Sequence, residues 1–171
     1  MTSTAFSIRP ARTSDIPYIQ SLVEPLVNKR ILLGKDLVVL YEAVQEFRIA
    51  VDESGTPIGC GALHVMWHDL AEVRTLAVAT EWLGHGVGRA LLERIEADAL
   101  GLGLSRLFCL TFEVEFFTRN GFSAISDEIV QPDVFQQLSL SPDEGVAEFL
   151  DLSRVKQNTL GNTRMLKVIS Q

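Results

Sequence analysis

Apolar positions along the chain follow two periods, and the switches between them mark the elements. "FSIRPA" reads as a short strand. In "TSDIPYIQSLVEPLVNKR", Ile16, Ile19, Val23 and Leu26 recur at helical spacing, with Thr13 placed to cap and Asp15 in the first turn. A second helix is predicted over Asp36–Gln45, where Leu37, Leu40, Tyr41 and Val44 share a face. "FRIAV" and "PIGCGALHVMW" are apolar runs separated by "DESGT", whose Ser-Gly pair suits a turn, so they predict an antiparallel hairpin. "AEVRTLAVA" is the next strand.

Beyond "WLGHGVG", the residues Val87, Leu91, Leu92, Ile95 and Ala99 return at helical spacing as far as the stop "GLGLS". "RLFCLTF" is an apolar strand of central character, and "EVEFFTRNGF" a short helix closed by Asn120-Gly121. "AISDEIV" reads as a further strand, "DVFQQL" and "EGVAEFLDLS" carry short helical patterns, and "RMLKVIS" is a last strand. Strand, helices, hairpin, then strand–helix–strand predicts a mixed α/β sheet with a crossover. A chain of 171 residues accommodates this as one domain, residues 1–171.

Charge narrows the class of partner. The formal net charge of −7 argues against general affinity for nucleic acid or anionic membranes and favours a small molecule. No apolar run approaches the ~20 residues that cross a bilayer, and the N-terminus lacks a basic start followed by an apolar run. A soluble, cytoplasmic protein is expected. Cys60 and Cys109 lie far apart in apolar strands and read as packed thiols. His64, His68 and Asp69 could suggest a metal site, but residues four apart in a strand are separated by ~13 Å, so no metal is expected. Trp67, Phe112, Phe116 and Phe117 read as core or pocket wall.

Gly84, Gly86 and Gly88 stand between a strand and a helix. Such a turn presents unpaired N–H groups with the positive end of the helix dipole, which suits a phosphate. A Walker A loop would need Lys-Ser/Thr where Arg89-Ala90 follow, and a dinucleotide fingerprint would need parallel strands where antiparallel ones are read. A turn whose glycines serve packing alone stays open.

"LGHGVGRALL" resembles the pyrophosphate loop of the GCN5-related N-acetyltransferases, Arg/Gln-x-x-Gly-x-Gly/Ala, with Leu83 in the Arg/Gln position. "EVRTLAVA" resembles the bulged fourth strand of that family, and "FFTRNGF" its Phe/Tyr-x-x-x-Gly-Phe ending. Within the family the chain is similar to the acetyltransferase domain of bacterial N-acetylglutamate synthases, through "IRPARTSDI", "EPLVNKRILL", "IGCGALHV", "LSRLFCLTF" and "NTLGNTRMLKV". It reads as a short form without their amino-acid-kinase-like domain. The resemblance implies a mostly antiparallel central sheet flanked by helices, with a strand–helix–strand crossover that binds acetyl-CoA.

It further implies direct transfer of acetyl from acetyl-CoA to the α-amino group of L-glutamate. Leu83, Gly84, His85, Gly86, Val87, Gly88 and Arg89 would bind the pyrophosphate, and Leu76, Ala77 and Val78 the pantetheine. Glu72 is the candidate general base, with a simple ion pair to Arg74 as its alternative, and Thr111 the candidate acid toward the leaving thiolate, with Glu113 a rival. Arg9 matches a substrate-binding arginine; Lys35, Arg74 and Arg164 are weaker candidates for a carboxylate. His64 stands where the resembled enzymes carry lysine, and Thr163 matches a hydroxyl of their tail while Gly161 replaces a basic residue. These changes keep L-glutamine open as acceptor. Acetylation of another small amine or a protein N-terminus, and a catalytically silent acetyl-CoA-binding module, are the alternatives. Apolar edge strands near the C-terminus raise the expectation of a homodimer.

Overall fold

A computed structural model describes residues 5–29, 35–126, 130–150 and 162–169. The strands are β1 (Phe6–Pro10), β2 (Phe47–Asp52), β3 (Pro57–Trp67), β4 (Leu70–Val78), β5 (Arg106–Thr111), β6 (Ser123–Ala124) and β7 (Thr163–Val168). The helices are α1 (Ile16–Asn28), α2 (Leu37–Glu42), α3 (Val87–Gly101), α4 (Val114–Arg119), α5 (Pro132–Leu138) and α6 (Glu144–Phe149). Among the described residues the strands form one seven-stranded sheet in the order β1-β2-β3-β4-β5-β7-β6. Every neighbouring pair is antiparallel except β4 and β5, which are joined in parallel through α3.

The pleat sends alternate residues to opposite faces, and the core divides accordingly. Ile16, Ile19, Val23 and Leu40 from α1 and α2 pack on Ile49, Cys60 and Ala62. On the other face, Leu92, Ile95 and Ala99 of α3 pack on Leu63, Val73 and Leu107. Phe108, one residue along from Leu107, therefore points away from α3 and meets Val146 and Phe149 of α6, its ring centroid 5.0 Å from that of Phe149. The five α3 residues picked out by helical spacing are the buried ones. Cys60 and Cys109 are free and buried, and burial pushes the Cys60 thiol up to about 12.

Three local expectations are corrected. Thr13 opens a 3₁₀ turn, Thr13–Asp15, and α1 starts after Asp15, whose carboxylate accepts from the Arg12 N–H at 2.7 Å. The second helix stops at Glu42 and passes into a 3₁₀ turn, Val44–Glu46; of its expected stripe Leu40 is buried, whereas Leu37 and Tyr41 are exposed. The six-residue helix is too short for a full stripe to meet one neighbour. Of "AISDEIV" only Ala124 lies in a strand, the two-residue β6, and residues 127–129 are outside the described part. The rest of the "EGVAEFLDLS" reading, beyond Leu150, also lies outside the described residues.

Two features of β4 shape the site. Cys60 stands opposite Ala77 and Ala62 opposite Arg74, so Gly61 faces two residues, Thr75 and Leu76, in a bulge where Thr75 takes φ 55°. Val73 thus packs toward α3, yet Ala77, four residues on, packs toward α1. Moreover, β4 pairs with β5 only at Leu70, Ala71 and Glu72. Past Glu72 the two strands part, while β5 keeps its ladder with β7 as far as Thr111 and Thr163.

Candidate active site

A cleft of about 680 Å³ opens where β4 and β5 part. One side is the β4 segment from Glu72 to Val78; the other is Leu110, Thr111, Phe112 and Glu113 at the end of β5. Its floor is the glycine turn, from Leu83 and Gly84 to Gly86, Val87, Gly88 and Arg89. Gly84 and Gly86 have φ of 80° and 82°, left-handed values that a Cβ would penalise. Intrahelical bonding in α3 begins with Ala90 N–H donating to Gly86 O at 3.0 Å, so the N–H groups of Val87, Gly88 and Arg89 have no acceptor within the helix. With the dipole of a 15-residue helix behind them, they form an anion cradle.

At the other end of the cleft, Glu72 and Thr111 are both buried. Arg74 donates to Glu72 Oε2 from Nε at 2.9 Å and from Nη2. The same guanidinium forks onto Asp143, Nη1 to Oδ1 at 2.9 Å and Nη2 to Oδ2 at 2.8 Å. Asp143 caps α6, its Oδ2 accepting from Val146 N–H at 3.0 Å. Both bonds to Glu72 reach one oxygen; Oε1 receives none from the described residues. Burial pushes the Glu72 carboxyl above the usual carboxylate range, against the pull of Arg74. Burial also works against the charges of Arg74 and Asp143, but the Glu72 charge and the Asp143 fork together hold Arg74 above its ordinary value, and hydrogen bonding to Arg74 holds Asp143 below its own. Thr111 Oγ1 accepts from Glu113 N–H at 2.7 Å, a bond that occupies a lone pair and leaves the hydroxyl hydrogen to be donated.

A second cavity of about 230 Å³ adjoins this end, lined by Lys35, Val39, Glu42, Glu46, His64, Arg74 and Asp143. His64 Nδ1 lies 2.6 Å from Glu46 Oε1. Lys35 and Arg74 line both cavities.

Of the residues singled out in the sequence, Glu72, Arg74, Leu76, Ala77, Val78, Leu83, Gly84, Gly86, Val87, Gly88, Arg89, Thr111 and Lys35 meet at the main cleft. His64 lines the smaller cavity, and His85, within the glycine turn, directs Nδ1 to Leu83 O at 3.1 Å. Arg9 lies apart on β1, its fork closed on Asp15 at 2.7 and 2.9 Å. Thr163 and Arg164 sit on β7 opposite Thr111 and Leu110 and line neither cavity. Asp143, Gly145 and Glu46 were not anticipated. The cap position of Asp143 ahead of a helical run is visible in "DEGVAEF", but its bond to a residue 69 positions away is not.

The shape is that of an elongated ligand site: helix-N-terminal N–H groups at one end, a strand edge that has parted from its neighbour along the middle, and a buried carboxyl and hydroxyl at the other end. The chain belongs to the Acetyltransferase (GNAT) family, whose model matches residues 24–122. Over 95% of its length it is 54% identical to an amino-acid acetyltransferase of Mycobacterium tuberculosis, covering 94% of that protein. The crystal structure of M. tuberculosis Rv2747, solved with CoA, superposes with a TM-score of 0.92 at 53% identity, covering 96% of this chain and 99% of that one. N-acetylglutamate synthase of Neisseria gonorrhoeae, solved with coenzyme A and N-acetyl-glutamate, superposes at 0.78 with 28% identity, over 98% of this chain and 36% of that longer one. Fold and family agree: the sheet and its flanking helices are those of a GNAT acetyltransferase.

Proposed function

We propose that this amino-acid acetyltransferase moves the acetyl group of acetyl-CoA onto the α-amino group of L-glutamate, giving N-acetyl-L-glutamate and CoA by direct attack. The observation that carries the reading is the buried Glu72, one of whose oxygens has no bond from the described residues, sharing with Thr111 a cleft that ends in the anion cradle. The Neisseria gonorrhoeae synthase solved with coenzyme A and N-acetyl-glutamate supports the acceptor, and Rv2747, solved with CoA, supports the cosubstrate.

Each group has a task that its chemistry suits. The N–H groups of Val87, Gly88 and Arg89 take the pyrophosphate, and the free β4 edge from Val73 to Val78 receives the pantetheine amides as an added strand would. Backbone N–H beside the Thr75 bulge polarises the thioester carbonyl. Glu72 accepts the proton of the acceptor's ammonium, directly or through one water, so that the amine lone pair forms the new C–N bond. As the C–S bond breaks, Thr111 Oγ1 gives its hydrogen to the departing sulfur and regains one as the new amide nitrogen sheds its surplus proton through solvent, and Glu72 releases to solvent the proton it took.

Arg74 has its donors committed to Glu72 and Asp143, so Lys35 is the cation assigned to the acceptor's carboxylate. Recombinant protein, acetyl-CoA and a panel of amino acids, followed by free CoA, test the reading. Turnover with glutamate that disappears in Glu72→Gln supports it, and no turnover with any acidic or amide amino acid overturns it.

One observation favours a second acceptor, L-glutamine. The smaller cavity sets Lys35, His64 and Arg74 against Glu42, Glu46 and Asp143, and His64 is already paired with Glu46. A side-chain amide, which both donates and accepts, suits that neutral pair at least as well as a carboxylate. The ratio of kcat/KM for glutamine and glutamate decides between them.

A further inference from the structure

The guanidinium of Arg74 does not meet Glu72 head-on. Both of its bonds to Glu72 end on Oε2, because its other edge is turned to the two oxygens of Asp143. Asp143 is itself fixed, capping α6 through Val146 N–H, and α6 is anchored by Phe149 against Phe108 of β5, the residue opposite Glu72 in the sheet. Gly145 completes the fit: a Cβ there would strike the Glu72 carboxylate and lie 2.6 Å from Arg74 Nη2. The first turn of α6 therefore reaches the β4 base through a single charged chain, Asp143 to Arg74 to Glu72.

An arginine bonded to a carboxylate normally makes it a poor base, since the ion pair favours the charged form. Here the positive charge is shared between two carboxylates.

We infer that Asp143 is a positioning residue for the acetyl transfer: by engaging one edge of Arg74 it confines that arginine to Oε2 of Glu72, keeps Oε1 open to the acceptor's ammonium, and preserves the basicity of Glu72. The inference rests on the reading of Glu72 as general base. The charges that face Glu72 are Arg74 on its own strand, Asp143 from α6 and His64 from β3, with the Cys109 thiol of β5 also coupled to it. Asp143 acts in the direction that raises the Glu72 carboxyl, while Arg74 and His64 act to lower it.

The test is the pH profile of kcat in Asp143→Asn and Asp143→Ser, both of which retain an oxygen for the Val146 N–H but carry no charge. Loss of the charge leaves Glu72 facing an uncompensated arginine, so the acid limb moves down by about one pH unit. The plateau of kcat falls about tenfold as the base weakens and Arg74 spreads onto Oε1. The KM for acetyl-CoA stays where it was, and CoA affinity by calorimetry reports the folded state of each variant. An unshifted acid limb in a variant that binds CoA normally overturns the inference. So does loss of CoA affinity in both variants with no separate change in the limb, which would assign Asp143 to the fold alone. Glu72→Gln separates the two levels: if it keeps both its rate and its acid limb, the reading of Glu72 itself fails. If it loses them while the Asp143 variants behave as the parent, only the role of Asp143 fails.

Discussion

Gly145 lies with its backbone against the carboxylate of Glu72, although the two are far apart in the chain and belong to a helix and a strand that share no ladder. The contact makes glycine obligatory at this position through space rather than through φ. In Gly145→Ala, the methyl group displaces either the Glu72–Arg74 pair or the first turn of α6. We expect kcat to fall by tenfold or more with the KM for acetyl-CoA little changed, and stability to drop by about 1–3 kcal/mol, the usual cost of overpacking. Steady-state kinetics and urea unfolding measure the two effects separately.

The glycine turn tests the opposite case. A Cβ at Gly86 meets nothing within 4 Å, but its φ of 82° strains any side chain. Gly86→Ala therefore costs about 1–2 kcal/mol of backbone strain, which the loop can relieve by moving out of position. Weaker CoA binding by calorimetry, with an unaltered Glu72 acid limb, is the expected result. Unchanged affinity would show that the left-handed turn is not needed by the phosphates.

For Thr111 the hydroxyl is separated from the shape by two substitutions. Thr111→Val loses the donor to the thiolate and is expected to reduce kcat about a hundredfold, the lower range for a positioned acid. Thr111→Ser keeps the hydroxyl and should stay within a few fold of the parent. If valine turns over as fast as threonine, solvent or Glu113 protonates the sulfur.

Lys35, like Arg74, lines both cavities, and its ammonium is not committed to the Glu72–Asp143 cluster. Lys35→Met should raise the KM for the amino acid about tenfold, a typical loss for one charge-assisted contact, and leave the KM for acetyl-CoA alone. Equal effects on both would place Lys35 at the nucleotide instead.

The Arg9–Asp15 pair makes a prediction about acid stability. Hydrogen bonding to Arg9 holds the Asp15 carboxyl below its usual range, against the opposing effect of burial. A depressed acid stabilises the fold at pH above its unfolded value and loses that contribution as pH falls through its folded value. The Tm gap between the parent and Asp15→Asn should therefore be widest near neutrality and narrow below about pH 4. A gap constant down to pH 3 would show that the carboxylate's charge adds nothing. Glu72 works in the other direction, since its raised carboxyl favours folding at low pH, and it is the same in both proteins.

Local periodicity made most elements legible. The five apolar residues of α3 are buried, and the hairpin of β2 and β3 lies where "DESGT" placed it. The glycine turn ahead of α3 was readable because its residues are contiguous, so a strand, three glycines and a helix are enough to place it. The charged end of the cleft was readable only in part. Glu72 and Arg74 are neighbours on one strand face, but Asp143 and Gly145 reach them from a remote helix whose pattern reports burial and nothing about its partner. The resemblance of "EVRTLAVA" to a bulged strand anticipated an irregularity here, but the residue pattern alone does not place it at Thr75, since threonine in a left-handed conformation is imposed by the surrounding sheet, not by its own preference.

That one additional residue in β4 divides the strand's labour. Ahead of Thr75, the side of the sheet opposite α3 carries the charged pair Glu72 and Arg74; behind it, the same side turns Ala77 inward to be sealed beneath α1. A regular strand would keep one parity throughout. It would carry either the charged pair and a further row of polar side chains into the hydrophobic layer, or that layer on into the catalytic end. The change of parity lets nine consecutive residues set a charged pair at one end and an apolar face at the other, and deleting Thr75 would force every later side chain of the strand onto the wrong face.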